Sequence, residues 1–249
     1  MKRKKEFYKN YQYEVEFVGH PLLDAINKPS VHPDRDSFYK ANELTGKPVI
    51  SLLPGSRKQE ISRMLPVMAS VAEKHPGFEF IIAGAPSLSE EFYHGIAGKG
   101  LKIISGQTYE LLRISRAALV TSGTATLETA LLEVPQVVCY KGSAISYAIA
   151  RRIVDVKYIS LVNLIMDKQV VTELIQSEFN ADNLENELLR ILEENNRCRI
   201  KADYQLLKEK LGGPGASERA AKAIGMMLQA TSCKPQAASC KPQAASRKP

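Results

Sequence analysis

Long apolar runs are missing from this 249-residue chain, and none approaches the roughly 18 apolar residues that a transmembrane helix requires. The amino terminus, MKRKKEFYKN, is basic, but the apolar core of a signal peptide does not follow it. We therefore expect a cytoplasmic protein rather than a secreted or membrane-spanning one.

Cysteine is scarce, and its spacing matches no disulfide or metal pattern. The chain has four cysteines and no CxxC motif, and two of the four, Cys233 and Cys240, lie in a repeated tail. Cys139 lies in an apolar run and is expected to be a small core residue. This usage is typical of a reducing compartment.

A basic surface is also missing from the body of the chain, although the net charge is +7. Eight of the 34 basic residues lie at the two ends: Lys2, Arg3, Lys4, Lys5, Lys234, Lys241, Arg247 and Lys248. The remaining 26 are balanced by 27 acidic residues, so we expect no nucleic-acid partner for the folded part. The basic ends could contact anionic lipid or RNA, but we favour solvated tails.

The last residues, 231–249, contain the repeat SCKPQAA twice, followed by SRKP. Large aliphatic and aromatic side chains are absent from this tail, so it cannot bury enough surface to offset its ordering entropy. We predict that it is disordered.

The body alternates short apolar runs with helical patterns. Strands are predicted at Pro48–Leu53, Phe78–Ala83, Leu101–Ile104, Ala117–Val120 and Gln136–Tyr140. Such runs indicate an α/β fold, a Rossmann-like open parallel sheet of about five strands with helices on both faces. Only helices are predicted after Ala181: to Asn195, then Arg199–Leu211 and Ala216–Ala230, with a break at Gly212–Gly215.

The first predicted strand ends in the loop Pro54-Gly55-Ser56-Arg57. Ligands of open α/β sheets lie beyond the carboxyl ends of the strands. Gly55 allows close approach of the backbone, Ser56 can cap the next helix, and Arg57 offers donors suited to phosphate. The alternative is an ordinary turn with a solvent-facing arginine.

A second loop, Ser122-Gly123-Thr124, opens a helix whose free N–H groups and dipole favour an anion. Glu128 shares a helix face with Thr124 and leans back toward it. A carboxylate beside a phosphate is repulsive unless it has another task, such as accepting hydrogen bonds from a ribose diol. Alternatively, Glu128 is a favourable first-turn acid or a plain surface residue.

The two loops together predict a nucleotide phosphate site. Neither contains GxGxxG or GxxxxGK[ST], which disfavours dinucleotide binding and P-loop hydrolysis.

From about Glu6 to Ala230, the chain resembles the carboxyl-terminal half of lipid-A-disaccharide synthases, which are inverting glycosyltransferases of GT-B architecture. The resemblance is carried, in the family's order, by Val15–Asp24, Leu52–Glu60, Thr121–Glu128, Tyr158–Ile165 and Val170–Gln176. The last of these segments reads as a polar–apolar turn.

The resemblance implies that this half binds the UDP part of UDP-2,3-diacylglucosamine. The implied UDP-binding positions are Ser56, Arg57, Ser122, Gly123, Thr124, Glu128 and Asn163. The first loop would lie by the pyrophosphate, the second would cradle it, and Glu128 would bind the ribose hydroxyls. Asn163 would line the same cleft; from the residues alone it reads as a turn residue.

The resemblance also divides the chain. Residues 1–46 are expected to form a leader and an interdomain hinge segment that includes Gly19 and His20. Residues 47–230 are expected to form the UDP-sugar-binding domain, and 231–249 the tail. On the residues alone, His20 reads as a loop residue fixed by Pro21.

The family's amino-terminal half, which carries the acceptor site and the proposed general base, has no counterpart here. We expect a fragment, a split-gene product or a domain that needs a complementary half, with no catalytic residue of its own. The parent reaction joins 2,3-diacylglucosamine to lipid X through a β-1,6 bond. It is expected to need no metal or other cofactor, since no DxD-type motif is found in residues 47–230.

Two further expectations concern partners and alternatives. The apolar segment Ala144–Ala150, beside Arg151 and Arg152, either contacts the inner-membrane surface or packs as a helix against the sheet. The alternative functions are a UDP-N-acetylglucosamine 2-epimerase-like enzyme and a non-catalytic nucleotide-sugar-binding domain.

Overall fold

The computed structural model of the chain describes residues 7–27, 34–142 and 157–232. Within these ranges, six parallel strands form one sheet. The strands are β1 Val49–Leu53, β2 Glu79–Gly84, β3 Lys102–Ser105, β4 Ser115–Thr121, β5 Gln136–Tyr140 and β6 Thr172–Ile175. The Rossmann-like parallel sheet is confirmed.

The strand order is β3-β2-β1-β4-β5-β6. Strands β2 and β3 are thus added on one side of β1, and β4, β5 and β6 on the other. Strands β1 and β4 are adjacent, and Leu53 pairs with Val120 near their carboxyl ends. Their following loops therefore flank a crevice at the topological switch point, where open α/β sheets place their ligands.

Besides a short helical stretch at residues 7–10, the described ranges contain ten helices. They are α1 Pro21–Ile26, α2 Arg35–Ala41, α3 Lys58–Lys74, α4 Glu90–Ala97, α5 Thr108–Ile114, α6 Thr124–Leu131, α7 Leu161–Met166, α8 Ala181–Leu192, α9 Glu194–Lys210 and α10 Ala216–Ser232. None of the helices in this described part combines the length and the apolarity needed to cross a bilayer.

Both faces of the sheet are buried, which explains why its strands read as continuous apolar runs. In β1, Ile50 and Leu52 belong to one core cluster, whereas Val49 and Leu53 belong to another. Side chains alternate between faces along a strand, so these clusters are the two helix-covered sides of the sheet.

Two sequence predictions about elements were wrong. The segment Val170–Gln176 was expected to be a turn, but Thr172–Ile175 is the edge strand β6, paired with β5. Its polar residues make the strand hard to recognise from the sequence, because an edge strand need not be apolar on both faces. The helix expected to end at Asn195 ends at Leu192, since Glu193 adopts an extended conformation and starts α9.

A carboxylate from the amino-terminal part of the described chain helps to hold the start of its last helix. Asp24 in α1 accepts hydrogen bonds from the backbone N–H groups of Gly215 (2.5 Å) and Ser217 (2.7 Å). These groups lie at the start of α10, so Asp24 caps that helix from a distant part of the chain. The hydrogen bonds, chiefly those from Ser217, lower the pKa of Asp24 from 3.8 to about 2.

We expect Asp24→Ala to destabilise the start of α10 and to speed hydrogen exchange of its backbone amides. Because the folded-state pKa is depressed, the charged carboxylate contributes its full stabilisation above pH 3.8. That contribution is lost as pH falls toward about 2, so the wild type and the variant should converge there. An exchange difference that persists unchanged at the acid end would contradict this role.

Candidate functional site

A cleft of about 450 Å³ opens at the carboxyl ends of β1 and β4. Its walls come from the loops after β1, β2 and β4 and from the starts of α5 and α6. The polar and charged lining residues are Ser56, Arg57, Glu60, Thr108, Thr121, Ser122, Thr124 and Glu128. The structure thus brings together the two loops that the sequence singled out.

A larger hollow, of about 610 Å³, lies at the opposite edge, near the starts of β2 and β3. Two of the charged groups that line it are engaged within the protein. Glu79 accepts hydrogen bonds from Thr45, and Lys102 donates to the carbonyls of Asn42 and Glu43. Size alone therefore does not identify the functional site.

The loop after β1 brings the long, positively charged side chain of Arg57 to the cleft. Gly55 has φ +110°, a conformation that favours glycine, whereas a Cβ there would lie 2.9 Å from Glu60 Oε2, the flexible end of a side chain that can shift. Arg57 donates to Glu60 at 2.8 Å, yet its side chain is 80% exposed. An exposed pair of this kind is weak, which leaves the guanidinium able to turn to a ligand.

The prediction that Ser56 caps the following helix was wrong. The N-cap of α3 is Arg57, whose backbone is extended, and this end has no side-chain cap. Ser56 is instead an exposed member of the cleft lining.

No side chain caps the backbone N–H groups at the start of α6. Gly123 is the N-cap and has no side chain, and no capping hydrogen bond is found there. The Thr126 hydroxyl donates to the Gly123 carbonyl at 2.7 Å and so does not cover the N–H groups of the first turn. An uncapped helix start that faces a cleft favours an anion.

Ser122 holds this loop in place. Its hydroxyl donates to the Ile159 carbonyl at 3.2 Å, and its backbone N–H donates to the Cys139 carbonyl. The hydroxyl proton is thus engaged within the protein, so any contact of Ser122 with an anion would need that bond to be exchanged. Gly123 and Thr124 are exposed at the cleft.

Glu128 lies half-buried in the cleft wall, on the second turn of α6. Its Oε1 accepts a hydrogen bond from the Tyr109 hydroxyl at 3.1 Å. Burial, followed by the nearby Glu128 charge and this hydrogen bond, raises the pKa of Tyr109 to about 12. Tyr109 therefore remains a donor at neutral pH and orients the carboxylate.

Sequence reasoning missed both Tyr109 and Glu60. Tyr109 follows a strand at the same edge of the sheet, but 19 residues separate it from Glu128. Nothing in the local pattern signals that pair. Glu60 was read as the start of a helix and as part of a matching segment, although its spacing of three residues from Arg57 is that of a helix ion pair.

Asn163 is not brought into the cleft. Its side chain is fully buried in α7, where Oδ1 accepts from the backbone N–H groups of Val170 and Val171. Its Nδ2 donates to the Val171 carbonyl and to Glu173, each at 2.8 Å. The implied position of Asn163 along the cleft was therefore wrong, since both polar atoms of its side chain are engaged between α7 and β6.

Gly19 and His20 lie away from the cleft, against the turn between α9 and α10. The His20 backbone N–H donates to the Leu211 carbonyl, and its Nδ1 accepts from Leu22 N as the N-cap of α1. Gly19 has φ +101°, and a Cβ there would meet Arg219 at 2.6 Å. Their assignment to an interdomain hinge stays a prediction.

Metal ligands do not cluster in the part of the chain that the structure describes: no group of three or more His, Cys, Asp or Glu side chains is placed to hold an ion. The polar chemistry of the cleft is that of an uncapped helix start, a guanidinium and a carboxylate. That set suits a phosphate-bearing ligand with neighbouring hydroxyl groups.

Comparison with known families gives one match across most of the chain. The family described as lipid-A-disaccharide synthetase matches residues 3–226. The lipid-A-disaccharide synthase of Syntrophus aciditrophicus is 39% identical over 91% of this chain and 61% of its own length. That of Geobacter sulfurreducens is 35% identical over 89% of this chain and 59% of its own length. The chain thus spans about three fifths of these relatives.

Solved structures share the fold at low sequence identity. The S. aureus MnaA–UDP co-structure has a TM-score of 0.59 at 13% identity and covers 88% of this chain and 56% of its own. The UDP-GlcNAc 2-epimerase from Neisseria meningitidis, bound to UDP-GlcNAc, has a TM-score of 0.56 at 15% identity, with 92% and 59% covered. These likenesses support the Rossmann-like fold.

Proposed function

Because the chain belongs to the lipid-A-disaccharide synthetase family, we propose that its cleft binds the UDP part of UDP-2,3-diacylglucosamine. In the family's reaction, the 2,3-diacylglucosamine unit would pass to lipid X and form the β-1,6-linked lipid A disaccharide. The observation that supports this most directly is the convergence of Arg57, the open start of α6 and Glu128 in one cleft.

The pyrophosphate would lie against the first turn of α6, where unpaired N–H groups and the helix dipole favour negative charge. Arg57 would exchange its exposed bond to Glu60 for a bond to a phosphate oxygen. Glu128 would accept hydrogen bonds from the ribose hydroxyls while Tyr109 holds its Oε1. Two solved neighbours with this fold carry UDP and UDP-GlcNAc, which agrees with a nucleotide-sugar ligand.

The same groups would assist departure of UDP. Negative charge grows on the leaving diphosphate as the glycosidic bond breaks, and donors fixed beforehand at that position stabilise it. Transfer also requires a base for the acceptor 6-hydroxyl. The two acids in the described lining are Glu60 and Glu128, and both are assigned other tasks here. We therefore propose that a complementary half of the enzyme supplies the acceptor site and the base.

Calorimetry with UDP tests the binding site. We expect one UDP per chain, and Arg57→Ala should weaken binding about tenfold or more, the effect of losing one hydrogen bond between charged groups. Arg63→Ala is the matched control, because Arg63 is exposed on the same helix but does not line the cleft. Uridine, which lacks phosphate, should not distinguish the two variants. Failure to bind UDP, or equal loss in both variants, would refute the assignment.

Activity assays separate the remaining alternatives. With UDP-2,3-diacylglucosamine and lipid X, we expect the chain alone to form little disaccharide, and efficient transfer would contradict the need for a complementary half. Conversion of UDP-GlcNAc to its 2-epimer would instead support the epimerase-like alternative. UDP binding without either reaction is expected both of a half that needs its complement and of a non-catalytic binding domain; disaccharide formation on addition of a complementary half would distinguish the first from the second.

A location on the cytoplasmic face of the inner membrane is likewise proposed, because both substrates carry acyl chains. The predicted membrane segment, Ala144–Ala150 with Arg151 and Arg152, lies outside the described residues. So does most of the tail that was predicted to be disordered, since the described part ends at residue 232.

A further inference from the structure

The UDP cleft contains a carboxylate, Glu60, beside the groups that are proposed to bind phosphate. Its side chain is 35% exposed, so a ligand in the cleft can approach it. A carboxylate and a phosphate repel each other at short range. Glu60 therefore acts against a diphosphate in the same cleft that Arg57 and the start of α6 make attractive to one.

The fold directs the Glu60 carboxylate back over the loop after β1. Glu60 is the third residue of α3, and helical side chains lean toward the amino terminus of their helix. A Cβ at Gly55 would lie 3.2 Å from the Glu60 Cβ and 2.9 Å from its Oε2. The carboxylate thus lies against the bare backbone of Gly55, the part of the loop that a phosphate could otherwise approach closely.

The other carboxylate oxygen is held by Arg57. Oε1 of Glu60 accepts a hydrogen bond from Arg57 Nη1 at 2.8 Å. A phosphate oxygen bonded to the same guanidinium would lie within roughly 7 Å of that carboxylate, less than the screening length of about 8 Å at physiological salt. Any phosphate that Arg57 binds is therefore exposed to the negative charge of Glu60.

The two helix starts at the cleft differ in charge. Neither α3 nor α6 has a side-chain cap, but the first turn of α3 contains Glu60, whereas the first turn of α6 contains no acid. The start of α6 is therefore the stronger attractor of a diphosphate. Glu60, in the wall contributed by α3, weakens that attraction without covering the α6 start.

The charge of the ligand changes during the proposed reaction. In a nucleotide sugar both phosphates are esterified, so each carries one negative charge. Loss of the sugar leaves a terminal phosphate whose second ionisation has a pKa of about 6, so free UDP gains nearly one further negative charge at neutral pH. Arg57 and the start of α6 attract this extra charge, and Glu60 repels it.

We propose that Glu60 is a specificity-determining residue, whose charge makes the cleft hold free UDP less tightly relative to the nucleotide sugar. The inference rests on the proposed function, because it requires a diphosphate at Arg57. Its consequence is faster release of UDP after transfer, since differences in affinity between closely related complexes arise mostly in the dissociation rate. Glu60 takes no part in breaking the glycosidic bond.

The test compares two ligands that differ by one charge. UDP and its β-methyl ester share the nucleoside and both phosphates, but the ester has the charge of a nucleotide sugar. Calorimetry on the full chain measures both affinities. We expect Glu60→Gln to tighten the binding of UDP about threefold to tenfold more than that of the ester, the effect of one charge pair near the surface. Uridine, which has no charge, should bind both proteins equally.

Glu73→Gln is the matched control. It removes the same charge from an exposed position of the same helix, outside the cleft lining. It lies roughly 20 Å along α3 from Glu60, well beyond the screening length, and should leave the ratio of the two affinities unchanged. Glu60→Asp keeps the charge and should keep most of the wild-type ratio. Glu60→Met, which is uncharged and of similar length, should repeat the result of Glu60→Gln and replaces it if the glutamine variant fails to fold.

The outcomes separate this inference from the proposed function. Stopped-flow displacement should show slower release of UDP from Glu60→Gln than from the wild type. Equal changes in affinity for UDP and the ester, or weaker UDP binding in Glu60→Gln, would overturn the inference and leave the UDP site in place. The weaker binding would mean that Glu60 orients Arg57 for the phosphate. Absence of UDP binding in the wild type would overturn the proposed function and this inference with it.

Discussion

Replacing Glu128 with alanine is expected to weaken UDP binding about tenfold to a hundredfold while leaving the fold intact. A carboxylate that accepts hydrogen bonds from two ribose hydroxyls contributes about 1.5–3 kcal/mol, and each 1.4 kcal/mol is tenfold in affinity. The fold should tolerate the change, because Glu128 is half-buried at the cleft and alanine is a strong helix former.

A thermodynamic cycle identifies the ribose as the partner. Wild-type protein should bind UDP more tightly than 2′-deoxy-UDP by calorimetry, and Glu128→Ala should lose that preference. Tyr109→Phe is the companion variant: it removes the hydroxyl that orients Glu128 but keeps the ring and the carboxylate. It should retain part of the preference. If Glu128→Ala still distinguishes the two nucleotides, Glu128 does not contact the 2′-hydroxyl.

Much of the fold could be predicted because burial on both faces leaves a strong mark in the sequence. The apolar run of β1 and the run Ala117–Val120 in β4 are completely buried, and no polar residue except Ser51 interrupts them. An edge strand leaves a weaker mark. β6 contains Thr172 and Glu173 and packs only one fully buried residue, Leu174, so its pattern is that of a turn.

The position of the cleft could be predicted for a geometric reason. The carboxyl ends of parallel strands lie at the same edge of the sheet, so the loops containing Arg57 and Gly123 had to lie at that edge. The two loops are neighbours because β1 and β4 are adjacent in the strand order. The partners of individual side chains could not be predicted in this way. The Tyr109–Glu128 hydrogen bond depends on how α5 packs across the sheet, which no local pattern encodes.

Asn163 shows the limit of transferring a role from matched residues alone. A segment can match a family pattern because its fold requires those residues, and a buried amide with several hydrogen bonds is such a requirement. Asn163 holds Val170, Val171 and Glu173, and Glu173 in turn accepts from the backbone N–H groups of Ile159 and Ser160. Its amide thus supports the loop on which Ser122 rests.

We expect Asn163→Ala to lower the free energy of unfolding by about 3 kcal/mol or more, because it leaves two buried backbone N–H groups and a carbonyl without partners. Urea denaturation measures this, and Asn195→Ala, at an exposed helical position, should change stability by less than about 0.5 kcal/mol. Calorimetry on the folded fraction then separates structure from recognition. A supporting role predicts nearly normal UDP affinity per folded molecule, whereas a direct ligand contact predicts lost affinity with little loss of stability. The second outcome would support a direct contact between Asn163 and UDP and would require α7 to rearrange when nucleotide binds.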